Sequence, residues 1–182
     1  MGSEEKTRVM VRVPDNVCRV MDTLAGHTHV SRPDVVIDAC RRFYAALCQR
    51  EADILDLLDE RHVAKDVALA FYREEIAGFV APFRSDYEAS LGKTKDQVGL
   101  LVVFPNVLLS KMNAAIGRIG TVKNHQEFIK IALMYMFSWE RESMRHEQRM
   151  AEFVSSADIR KEVEKLRDLL NDGQNRADKK IR

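Results

Sequence analysis

The sequence predicts a mainly α chain. It holds two strand-helix-helix units, each with one short strand, joined by a helical middle segment. Three observations carry this reading. Val9, Val11 and Val13 alternate with Arg8, Met10 and Arg12, the period of a strand, and Pro14 follows at once. The same order of strand, proline, helix, glycine and capped helix returns near residues 99–139. Between and beyond these copies, apolar residues recur at helical spacing.

In the first unit, Pro14 ends the strand because it cannot donate to a ladder. Asp15 and Asn16 offer side-chain oxygens to the free N–H groups of a starting helix. Val17, Val20, Met21 and Leu24 line one face of that helix, and Gly26 is its expected left-handed stop. Ser31-Arg32-Pro33-Asp34 starts the next helix. Ser31 is its N-cap, Pro33 sits in the first turn and Asp34 completes a capping box. Val36, Ala39, Cys40, Phe43 and Leu47 continue a buried stripe. A lone strand is unstable, since even an isolated hairpin is marginal, so this one must borrow a partner.

Residues 7–44, with their alternation, Pro-Asp turn, glycine and Ser-Arg-x-Asp start, resemble the ribbon-helix-helix family of the MetJ/Arc type. The resemblance implies a two-stranded ribbon lying in the DNA major groove. It places base contacts on Arg8, Met10 and Arg12, and phosphate contacts on Ser31 and Arg32, at the start of the second helix. The chemistry agrees. Arginine can grip guanine O6 and N7 with two hydrogen bonds, and an apolar side chain can touch the thymine methyl. A helix start binds anions.

In the second unit Phe104-Pro105-Asn106 stands where Val13-Pro14-Asp15 stood, and Leu108, Met112, Ala115 and Ile119 form the helical stripe. Gly120 follows, and Asn124-His125-Gln126-Glu127 takes the place of the capping box. With Leu100, Val102 and Phe104 facing in, the outward residues are Gly99, Leu101 and Val103, none of which can hydrogen-bond a base edge. So apolar a run reads as a strand buried on both faces. The next helix, apolar almost all round from Phe128 to Phe137, should be covered on several sides. The second unit is therefore expected to serve assembly. Strands are expected to pair between chains. Pairing between the two units of one chain ranks lower, because it yields only half a reading surface.

The expected boundaries are 1–50 for the DNA-binding unit, 51–98 for an acidic helical spacer, 99–154 for the oligomerisation unit, and 155–182 for a C-terminal helix and tail. The spacer holds eleven acidic residues against six basic ones, so it cannot lie along phosphates. Leu69, Tyr72, Ile76, Phe79, Val80 and Phe83 share a helical face there, Pro82 should end that helix, and 84–98 reads as a linker. Ile159, Val163, Leu166 and Leu170 mark a last amphipathic helix before a polar tail.

Net charge is +1, which excludes a polybasic nucleic-acid binder and requires a shaped contact. No apolar run approaches a membrane span and no secretory signal is visible, so the expectation is a cytoplasmic protein with no membrane partner; that it is prokaryotic is what the family resemblance implies. Three cysteines, Cys18, Cys40 and Cys48, sit in apolar helical patterns and read as small hydrophobes. Gly92-Lys93-Thr94 lacks the earlier glycine of a phosphate-binding loop, and His27-x-His29 has no second ligand pair. Neither an enzyme, a cofactor nor a metal is expected. The functional expectation is a sequence-specific transcriptional regulator, a homodimer or tetramer on an inverted-repeat operator of double-stranded DNA. The alternative is an oligomerisation or interaction protein: antitoxin-like, a partition or conjugation accessory, or a chromatin-type DNA binder.

Overall fold

A computed structural model describes residues 5–91, 96–155, 161 and 164–165. In chain order the elements are β1 (Lys6–Pro14), α1 (Asp15–Thr28), α2 (Arg32–Glu60), α3 (Lys65–Leu91), β2 (Gln97–Pro105), α4 (Asn106–Ile119) and α5 (His125–Ser155). The fold is mainly helical, with one two-stranded antiparallel sheet. Two compact units divide the chain, Met1–Ser138 and Trp139–Arg182. The first holds the sheet and its core; the described part of the second is mostly the continuation of α5. The expected helix at 159–170 and the tail at 171–182 lie outside the described residues, apart from positions 161, 164 and 165.

The expected partner of β1 was a second chain; in the structure β1 pairs with β2 of the same chain. The physical reason lies in the middle segment. Arg50 on α2 bonds Glu75 on α3, and Tyr72 of α3 donates to Glu51 of α2 at 2.7 Å. These contacts hold α2 and α3 as an out-and-back helical pair that delivers β2 to the edge of β1. Closing a long connection costs only slightly more entropy than closing a short one. The middle segment thus belongs to the same compact unit as both strands.

The register reveals an internal twofold. Met10 lies opposite Leu101, and each stands four residues ahead of the proline ending its strand. A pseudo-dyad therefore passes between them. It relates Arg8 to Gly99, Arg12 to Val103, and Pro14 to Pro105. The helices after the prolines, α1 and α4, have 14 residues each. Their first N–H groups make equivalent bonds across the ribbon: Asp15 donates to the Asp96 carbonyl at 3.1 Å, and Asn106 to the Glu5 carbonyl at 3.0 Å. Asp15 and Asn16 are the first residues of α1, whose N-cap position is Pro14, and of the two side chains Asn16 accepts a free N–H, from Val17 at 3.0 Å.

The inward face of the ribbon is buried: Val11, Val13, Leu100, Val102 and Phe104 join Met21, Met112, Phe43, Phe128 and Ile129 in one core. Each such side chain contributes roughly 1.5–3 kcal/mol when fully buried. Phe43 of α2 is the hub. Its ring meets Phe79 and Phe83 of α3, and Phe128 and Tyr135 of α5, with centroids 5.1–6.4 Å apart. The expected cover on α5 is present, since Phe128, Ile129, Ile131, Ala132, Leu133, Met134 and Met136 are all buried.

Four local expectations are corrected. Helix α1 runs past Gly26 to Thr28, and His29 takes the left-handed turn at φ 56°. Helix α3 runs through Pro82 to Leu91, so most of the expected linker is helix. Pro82 removes the hydrogen bond to the Gly78 carbonyl, but burial of Ile76, Val80 and Tyr87 holds the helix on either side. Leu69, expected on the buried face of α3, is exposed. Finally, β2 is not buried on both faces within the chain: Leu101 is 50% and Val103 41% exposed.

Candidate nucleic-acid interface

Alternation along β1 and β2 puts one residue set into the core and leaves the other as a flat outward face. On β1 that face is Arg8, Met10 and Arg12, all exposed; on β2 it is Gly99, Leu101 and Val103, also exposed. In the register Arg8 faces Val103, Met10 faces Leu101, and Arg12 faces Gly99. The three expected base-contact residues are thus brought to one surface, beside the three that lack donors. Neither the Arg8 nor the Arg12 guanidinium has an ion-pair partner among the described residues. Met10 leans across the ribbon: a Cβ placed on Gly99 would lie 3.3 Å from its sulfur.

The expected phosphate contacts are differently placed. Ser31 is the N-cap of α2 and its capping box is closed: its hydroxyl donates to the Asp34 carboxylate at 2.5 Å and accepts from the Asp34 N–H at 3.4 Å. Arg32 is held in a two-pronged ion pair with Asp22 of α1, through Nε and, at 2.7 Å, Nη2. The hydrogen bond from Arg32 holds the Asp22 carboxyl below its ordinary value, and the carboxylate raises the guanidinium in turn. Both residues stand at the helix start, as the resemblance implies, but their polar atoms are already engaged. Two carboxylates, Asp34 and Asp22, oppose the arrival of an anion there.

The equivalent start of α5 is built from other residues. Asn124 accepts from the Glu127 N–H at 3.0 Å, and Glu127 accepts from the Lys123 N–H at 2.7 Å. Arg84 of α3 joins this corner. It bonds Glu127 at 3.0 Å and the Thr121 carbonyl at 2.6 Å. Gln126 reaches back to the free edge of β1, where its amide nitrogen donates to the Met10 carbonyl and its oxygen accepts from the Arg12 N–H at 3.4 Å. The amide therefore clamps the backbone that carries Met10 and Arg12. At the position of Gln126, the first unit has Pro33, which cannot make such a clamp.

Sequence reasoning missed Gln126, Asp22 and Arg84, because each acts on a different element ten or more residues away in the chain. Only the polar side chain of Gln126, one residue before the capping glutamate, hinted at a role.

Glu51 accepts from Arg118 at 2.9 Å as well as from Tyr72, and burial with that bond pushes the Tyr72 hydroxyl up to about 12. Burial raises the thiols of Cys18 and Cys40, and both cysteines are free. His27 and His29 are exposed at the end of α1. No group of three His, Cys, Asp or Glu side chains converges among the described residues. None of the described helices is long and apolar enough to cross a membrane.

Among known proteins, no family model, no curated relative and no solved structure matches the chain.

Proposed function

We propose that the chain is a sequence-specific regulator that binds double-stranded DNA by laying its β1–β2 ribbon in the major groove. One observation carries the reading: two arginines without ion-pair partners among the described residues, Arg8 and Arg12, flank Met10 on the open face of a two-stranded antiparallel ribbon. A ribbon of that width fits the major groove, and arginine is the commonest reader of guanine there. In this reading one chain supplies the whole ribbon, and Arg8, Met10 and Arg12 touch bases. Ser31 and Arg32 reach phosphate only by leaving Asp34 and Asp22, so they add less to affinity than the ribbon does.

The test is duplex binding across a salt series. Wild-type affinity is expected to fall as salt rises, by counterion release. Arg12→Ala should cost about 1–3 kcal/mol of specific binding and relax selectivity at one base pair. Equal binding of every duplex by wild type and by the Arg8→Ala/Arg12→Ala double variant would overturn the assignment.

A second reading is favoured by the exposed apolar pair Leu101 and Val103: an interaction protein in which the outward face of β2 meets a second copy of the chain. Such a protein shows no salt-dependent DNA affinity, and its mass in solution exceeds one chain in the absence of DNA.

A further inference from the structure

We infer that this chain reads a non-palindromic DNA site, with both guanine contacts on one DNA strand. The inference rests on the DNA-binding reading above and adds the form of the site. A ribbon built by two identical strands carries each arginine twice, once on each side of its dyad, and the guanines it reads then lie on opposite DNA strands. That arrangement is an inverted repeat. Here the pseudo-dyad passes between Met10 and Leu101, and the dyad mates of Arg8 and Arg12 are Gly99 and Val103. Every donor of the outward core positions lies on β1. None lies on the facing positions of β2.

A ribbon running along the groove sets each of its strands nearer one DNA strand. Arg8 and Arg12 then face the same DNA strand. They are four residues apart, or roughly 13 Å along an extended chain. At about 3.4 Å per base pair this separates the two guanines by about four base pairs. Across the groove the surface is apolar but uneven. Val103 faces Arg8 and Leu101 faces Met10, each able to touch a thymine methyl. Opposite Arg12 stands Gly99, with the sulfur of Met10 over it, so β2 offers no side chain at that step; its next outward residue, the exposed Gln97, lies opposite Pro14. The site should therefore carry two guanines on one strand, with thymine favoured on the other strand near the Arg8 end.

Selection from a random duplex library with the full chain at ~150 mM salt tests this. The expected product is a motif without internal twofold symmetry, with both guanines on one strand. Replacing those guanines by 7-deazaguanine, which lacks the N7 acceptor, should cut affinity about tenfold or more. The same replacement at guanines of the complementary strand should leave affinity unchanged. A palindromic motif, or equal loss from both strands, overturns the inference and leaves DNA binding standing. Salt-dependent binding with no motif also overturns it. Failure to bind any duplex at low salt overturns the proposed function, and this inference falls with it.

Discussion

Val11 and Val102 hold equivalent places in the two strand-helix-helix units, and both are fully buried against the same core. Arg12 and Val103 also hold equivalent places, on the opposite face, and there the units part: one presents a cation and the other a methyl pair. The contrast repeats at Arg8 against Gly99 and at Pro33 against Gln126. The inward half of the fold keeps its symmetry because a shared core is close-packed and tolerates few changes of volume. The outward half is not constrained by packing, so its residues can diverge while the backbone stays paired. The difference between the units therefore lies on the exposed face of the ribbon.

The largest expected effect concerns what the units share. Phe43 is completely buried and its ring touches four others drawn from α3 and α5. Phe43→Ala should destabilise the whole first compact unit by about 3–5 kcal/mol, in a single denaturant transition. Two separate transitions, with only one of them shifted, would break the picture of a common core.

Next comes the outward contrast. Gly99→Arg with Val103→Arg restores to β2 the donors that β1 has. A Cβ at 99 would meet the flexible end of Met10, at 3.3 Å from its sulfur, and that side chain can swing aside, so the fold should accept the change. Each new bidentate contact is worth about 1–3 kcal/mol of base discrimination. The variant should prefer an inverted repeat, measured by competition between palindromic and non-palindromic duplexes. Preference for the wild-type site would mean that the face of β2 does not approach bases.

A smaller effect is expected at the clamp. Gln126→Ala removes two hydrogen bonds to the backbone at Met10 and Arg12 but leaves an edge that water can satisfy. Stability should fall by about 0.5–1.5 kcal/mol, the net worth of a typical hydrogen bond. Amide exchange at Arg12 should quicken, while that at Val103, where the dyad-related edge has no such clamp, should not change.

These contrasts also explain how far the sequence could be read. Alternation at Val9, Val11 and Val13, the capping box at Ser31 and the parallel stripe at Leu108, Met112 and Ala115 are local signals, and each recurs in the structure. The outward set Gly99, Leu101 and Val103 followed from period two alone. The identity of the partner strand did not follow, because it depends on how α2 and α3 return the chain. Helix α3 was obscured by Pro82, whose local penalty is outweighed by Phe79, Val80 and Phe83 packing around Phe43. The stretch after it looked polar, yet Tyr87 is buried beneath Lys130 and Arg84 is tied to Glu127, contacts that no local pattern announces. For the site, the outward placement of Arg8, Met10 and Arg12 was legible by alternation. The engagement of Arg32 by Asp22 was not, since the two sit ten residues apart on different helices.

That last pair gives the mildest prediction. Asp22 has a carboxyl held below its ordinary value of 3.8 by Arg32. A carboxylate with a lowered folded value adds stability that is fully present above the unfolded value and fades as pH falls through the folded one. The wild-type chain should therefore lose a small increment of stability below about pH 4, and Asp22→Asn should lack that increment at every pH. The same change releases the Arg32 guanidinium at the start of α2. If a DNA phosphate passes that helix end, one further counterion is displaced, and the slope of log affinity against log salt should steepen by about 0.9. At low salt the variant should then bind duplex DNA more tightly than wild type. An unchanged slope, with the acid increment lost as expected, would show that Arg32 is free in the variant and still meets no phosphate. Contact would then be confined to the ribbon and its two arginines.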